Sequence, residues 1–164
     1  MPIFIRSKKL LIGLVALFLV AACSAIAPKL KVTDAWTRPA AEGNNAAVYF
    51  VVNNPSPLDL SILSASSRAA RAVEIHQSML MTADELDGMI EGGTDDMQMQ
   101  DVMQMAPLSS VEILSRKSLS FEPGSYHVML IDLRQELTHG DSLIVRLIID
   151  DGQVLDVAVT VDER

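Results

Sequence analysis

Two histidines bracket a run of methionines. His76 opens the run and His127-Val128-Met129 closes it. Met79, Met81, Met89, Met97, Met99, Met103, Met105 and Met129 are all the methionines of the chain apart from Met1. Thioether sulfur is a soft ligand and imidazole nitrogen a borderline one. Together they suit Cu(I) better than any other common biological metal ion. Methionines used as core filler are spread over many elements, whereas these are confined to one stretch. Several sit among polar neighbours, as in Met97-Gln98-Met99-Gln100 and Met103-Gln104-Met105, where burial is hard to arrange. The candidate metal ligands are His76, Met105, His127 and Met129. The third histidine, His139, stands in a Thr138-His139-Gly140-Asp141 turn and reads as a surface residue.

The elements that must position these groups are strands. His127 and Met129 are two residues apart in Tyr126–Leu133 (YHVMLIDL), the strongest strand pattern in the chain, so both side chains leave one face. His76 is expected at the end of a strand over 72–76, with Val73 and Ile75 on one face and Glu74 and His76 on the other. Met105 lies near the start of a strand at about 102–106. Four groups from three segments can then converge at one edge of a sandwich. Further strands are expected at 33–39, 46–53, 58–62, 110–114, 118–122, 142–150 and 154–161. Asn53-Asn54-Pro55-Ser56-Pro57, Pro123-Gly124-Ser125 and Asp151-Gly152 serve as turns. Residues 77–100 carry carboxylates among the methionines and hold no sustained period. They read as a long acidic loop with one helical turn near Ala83 to Leu86. Many short strands with almost no helix indicate an all-β fold, an antiparallel β-sandwich or Greek-key barrel.

The first 22 residues read as an export signal. Arg6, Lys8 and Lys9 form a positive segment, and Leu10 to Val20 is apolar but short for a membrane span. Val20-Ala21-Ala22-Cys23 then places small residues before the chain's only cysteine, as in a bacterial lipobox. The expected organisation is a lipoprotein signal peptide over 1–22, a tether over 23–32 lipidated at Cys23, and one domain over 33–164. Such a protein is extracytoplasmic and held to a membrane by its lipid. If Cys23 is lipidated, the folded part has no thiol to lose to oxidation in an export compartment. The chain has 13 basic residues, three of them in the signal, against 21 acidic ones. That balance argues against nucleic-acid binding.

The same residues resemble the periplasmic copper chaperones of the PCuAC type, whose signature is H-x10-M-x21-H-x-M. Met105 is followed by 21 residues and then His127-Val128-Met129. Glu122-Pro123-Gly124-Ser125-Tyr126-His127-Val128-Met129-Leu130 looks like the family's P-G-G-Y-H-x-M-L segment. Val102-Met103-Gln104-Met105 is similar to its V-M-x-M, and Val73-Glu74-Ile75-His76 to its first histidine strand. Asp34 to Pro39 and Ala46 to Phe50 are similar as well, so the resemblance covers about 32–161. The departure is the first spacing: 28 residues separate His76 from Met105 in place of ten. This reads as an insertion of 18 residues in the loop, which sets Met79, Met81 or a loop methionine in competition with His76.

The resemblance implies a cupredoxin-like β-sandwich that carries Cu(I) outside the cytoplasmic membrane. It further implies delivery to the CuA centre of a respiratory cytochrome oxidase, with the CuA-bearing subunit or another copper chaperone as partner. A copper buffer or resistance lipoprotein holding several Cu(I) ions, and a metal-free structural lipoprotein, stand as alternatives. An electron carrier of the blue-copper kind needs a cysteine ligand, and Cys23 is in the wrong place. No activated nucleophile or acid–base pair marks the chain as an enzyme.

Overall fold

The computed structural model of the chain describes residues 28–81 and 102–164. The signal, Cys23, the first half of the expected tether and the expected helical turn near Ala83 lie outside the described residues.

The described residues form ten strands: β1 (Lys31–Thr37), β2 (Ala46–Asn53), β3 (Leu60–Ser67), β4 (Ala70–Met81), β5 (Val102–Leu108), β6 (Val111–Ile113), β7 (Ser118–Phe121), β8 (Tyr126–Leu133), β9 (Ser142–Ile149) and β10 (Val154–Val161). They form one sheet in the order β5-β4-β8-β7-β2-β1-β10-β9-β3-β6, with β8 also paired to β2. The two end strands, β5 and β6, are joined in sequence by Ser109-Ser110 alone. The sheet therefore rolls over on itself into a nearly closed, barrel-like sandwich. Its pairings are antiparallel except for β1 with β10 and β7 with β8.

Alternation in the sequence becomes two-sidedness in the sheet. β2 buries Val48, Phe50 and Val52, and β9 buries Val145, Leu147 and Ile149. Each set occupies every second position, the period of a half-buried strand. With Ile62, Val128, Leu130 and Val159 they form a single core cluster. Phe50 and Phe121 stack across the β2–β7 ladder with centroids 4.3 Å apart.

Three boundaries differ from the sequence reading. Leu30 is buried and β1 begins at Lys31, so residues 30–32 belong to the folded body and not to the tether. β4 runs to Met81, well past His76, because its partner β5 extends the ladder that far. β3 starts at Leu60 and continues to Ser67, where the sequence shows small polar residues in place of an apolar alternation. The Asp151-Gly152 hairpin joins β9 and β10, with Gly152 at φ 86°. That left-handed conformation is open to glycine without steric penalty.

Asn54 pins the turn after β2. It is fully buried, and its side-chain amide donates to the carbonyls of Leu58 and Ile113 at 2.8 and 2.9 Å. Its carbonyl accepts from the Ser56 N–H at 2.9 Å. Removing the side chain leaves several buried backbone groups unpaired. Asn54→Ala is expected to destabilise the domain by about 2–3 kcal/mol in denaturant unfolding. A loss below about 0.5 kcal/mol would show that the turn holds without the pin.

Candidate metal centre

The site is built from β8 outwards. Val128 and Leu130 are completely buried in the core, so period-two geometry turns His127 and Met129 to the opposite, outer face. β4 pairs antiparallel with β8 in a register that sets Ile75 opposite Val128, His76 opposite His127 and Glu74 opposite Met129. Ile75 and Val73 follow the core, and Glu74 and His76 share the outer face with His127 and Met129. The sequence reading of β4's two faces is thus correct. Its placement of His76 at a strand end is not, since β4 continues five residues further. The centre lies on the outer face of adjacent strands and not at the sandwich edge. Only β5 among its strands is a sheet edge.

β5 joins through its hairpin with β4. The ladder pairs His76 with Pro107, Ser78 with Met105 and Met81 with Val102. β8 pairs with β4 only as far as Gln77 opposite Tyr126, so the outer ends of β4 and β5 form a two-stranded arm. Met105 sits on this arm, one pleat beyond His76 and on the same face. The long spacing between His76 and Met105 therefore does not separate them. In an antiparallel pair the register, and not the number of residues between the strands, decides which side chains meet. Met105 is 54% exposed and Met79 46%. Met79 lies opposite Gln104, on the alternate face of the arm.

The two imidazoles meet edge to face, with centroids 5.7 Å apart and planes at 61°. His127 is only 2% exposed and the His76 side chain 14%. Each ring has one nitrogen occupied. His127 Nδ1 lies 3.2 Å from the Ser125 carbonyl, and His76 Nε2 lies 2.7 Å from the Glu74 carboxylate. The other nitrogens, His76 Nδ1 and His127 Nε2, are buried and have no hydrogen-bond partner among the described residues. Buried polar atoms are nearly always paired, and an exception needs a cause. Two of them lie on facing rings, and the thioethers of Met129 and Met105 are on the same face, donor types that suit a soft ion. Tyr49, with its ring 6.3 Å from His127, flanks the pair and is itself packed against Trp36 at 4.9 Å. His139 is not part of the group. Its side chain is 67% exposed and sits 3.8 Å from Asp162.

Sequence reasoning missed Glu74 and Ser125 as partners of the two rings. Glu74 precedes His76 by two residues on β4 and so shares its face, and this period was the available signal; Ser125 acts through its main-chain carbonyl, which no side-chain pattern marks. It also missed Tyr49, whose place beside His127 depends on the β2–β8 pairing.

The strand arrangement defines the class of fold: it is the cupredoxin-like fold of PCuAC domains. The copper-bound PCuAC domain from PmoF2 superposes with a TM-score of 0.61 at 16% identity, over 84% of this chain and 96% of that one. The solution structure of CuI-DR1885 from Deinococcus radiodurans gives a TM-score of 0.52 at 26% identity, over 87% and 84%. A model of the LpqE-like lipoproteins matches residues 30–161, and the chain belongs to that family. It is also 28% identical over 134 residues to "Putative lipoprotein Lxx21020" of Leifsonia xyli subsp. xyli, covering 82% of this chain and 70% of the relative.

Burial holds the His127 imidazole below its ordinary range. The Ser125 carbonyl partly offsets this, and His76 adds to it. The unfolded chain protonates this ring near the ordinary value of about 6.5, while the folded chain resists. Unfolded protein then binds more protons, so stability is lost as pH falls through about 6.5, and the loss levels off below the folded value. Denaturant unfolding of the metal-free domain between about pH 8 and pH 5 should show this slope. His127→Gln should flatten it, and an unchanged slope would mean that the ring does not resist protonation in the folded state.

Proposed function

We propose that this protein is an extracytoplasmic Cu(I) carrier, held to a membrane through Cys23, whose cargo is bound by His76, Met105, His127 and Met129. The observation that carries the reading is that the facing rings of His76 and His127 each hold a buried nitrogen with no partner among the described residues. An unpaired buried acceptor costs about 1–3 kcal/mol, and a bound cation turns that cost into two ligand bonds. The similarity to CuI-DR1885 and to the copper-bound PmoF2 domain supports the choice of metal. The lipoprotein relative supports the anchor.

The chemistry suits transport. Histidine and methionine without thiolate hold Cu(I) at moderate strength, and transfer to a thiolate-bearing acceptor is downhill. The CuA centre of a respiratory oxidase is such an acceptor. The lipid confines the search to the membrane surface, which raises effective concentration near a membrane-bound partner. Met105 is the exposed member of the set. In this reading it is the ligand an acceptor reaches first, and the histidine pair lets go last.

Copper titration of the soluble domain tests the reading. One tightly held Cu(I) is expected, with Zn²⁺ bound far more weakly. His76→Ala, His127→Ala and Met129→Ala should each weaken it tenfold or more, about 1.4 kcal/mol. His127→Ala should also cost about 1–3 kcal/mol of stability, because the ring is buried. Unaltered affinity in the double variant His76→Ala/His127→Ala would sink the site. Several ions bound with similar strength would instead favour a buffer.

The anchor has its own test. Cys23→Ser should leave an uncleaved precursor or release the protein to the soluble fraction. Migration and membrane partition identical to wild type would rule out lipidation at Cys23.

A further inference from the structure

We propose that Glu74 is a positioning residue for this centre: its carboxylate fixes His76 in the tautomer that presents Nδ1 to the metal, opposite an Nε2 ligand from His127. The inference rests on the copper reading above and deepens it.

The hydrogen bonds decide the tautomers. Glu74 Oε2 lies 2.7 Å from His76 Nε2. A carboxylate only accepts, so the ring proton sits on Nε2 and the Nδ1 lone pair is bare. The Ser125 carbonyl likewise only accepts, so at 3.2 Å it holds the His127 proton on Nδ1 and leaves Nε2 bare. The two bare atoms are the two buried nitrogens that lack partners among the described residues. The pair is thus asymmetric: one ring offers Nδ1, the other Nε2. This asymmetry comes from the two partners: Glu74 reaches His76 through its side chain, at Nε2, whereas Ser125 reaches His127 through its main-chain carbonyl, at Nδ1.

The two partners also differ in kind. A carboxylate is charged and polarises the imidazole more strongly than a carbonyl does, which raises the basicity of the nitrogen that faces the metal. His76 is then the stronger donor of the two. Glu74 also brings a negative charge beside a bound monovalent cation, across from Met129. Among the described residues its carboxylate has no ion-pair partner except His76. The side chain is 48% exposed, so replacing it leaves the core intact.

Long-range proton–nitrogen NMR of the metal-free domain above neutral pH reads the tautomers directly. Wild type should show His76 protonated at Nε2 and His127 at Nδ1. Glu74→Gln keeps an accepting oxygen and should keep the His76 pattern. Glu74→Ala should let His76 shift toward a mixture. In chelator competition, Glu74→Ala should weaken Cu(I) binding about 10- to 100-fold, and Glu74→Gln should restore most of it. His76 protonated at Nδ1 in the wild type would overturn the proposal. So would Cu(I) affinity in Glu74→Ala within twofold of wild type while His76→Ala loses tenfold or more. Glu74→Gln as weak as Glu74→Ala, with its tautomer intact, would make Glu74 a ligand or a bare charge and end the positioning role. If His76→Ala and His127→Ala both bind Cu(I) as wild type does, the copper reading itself fails, an outcome the Glu74 variants do not mimic.

Discussion

The register of the β4–β8 ladder is the constraint on which the rest depends. On its inner side Ile75 opposes Val128 and Val73 opposes Leu130, and these residues pack in the core. On its outer side His76 opposes His127 and Glu74 opposes Met129. A slip by one residue would carry the apolar set to water and the histidines into the core. The burial of four aliphatic side chains thereby fixes the place of two imidazoles that contribute nothing to that burial. Stability on one face of the sheet dictates chemistry on the other.

The β4–β5 hairpin is governed by a different rule. Its ladder runs from Ile75 opposite Leu108 to Met81 opposite Val102. Residues added between the strands leave every pairing below them in place. Loop-closure entropy grows only slowly with length, at about 0.6 kcal/mol per doubling. A chain can therefore carry 28 residues between His76 and Met105 and still set Met105 opposite Ser78. His127 and Met129 tolerate no such freedom, because they share one strand and their spacing is their geometry.

The candidate centre is built around two imidazole nitrogens that have no partner among the described residues. Each ring spends one nitrogen on a neighbour two residues back, and the other nitrogen has no partner among the described residues. Natural proteins carry such local costs where activity requires them. Here the cost is confined to the outer face, away from the closely packed interior that supplies the stability. The flanking aromatic rings of Tyr49 and Trp36 belong to the same face. They come from β2 and β1, so strands far apart in sequence wall the site on one side.

Alternation, turn residues and the methionine distribution were enough to read an all-β sandwich, the Tyr126–Leu133 strand to the residue, and His127 with Met129 on one face. Each of these follows from short-range periodicity, which a strand expresses whatever its surroundings. The acidic balance and the lipobox-like Cys23 are likewise properties of composition and order. The tertiary structure decided the remainder. The length of β4 was hidden because Gln77 to Met81 carries no alternation of its own and becomes strand only by pairing with β5. The parallel contact of β1 with β10 was hidden because it joins the two ends of the domain. That His76 faces His127 is a matter of register between residues 51 positions apart in the chain. A linear sequence carries the period of each strand but not its phase against another. That phase is set only when the apolar faces of both strands are buried together.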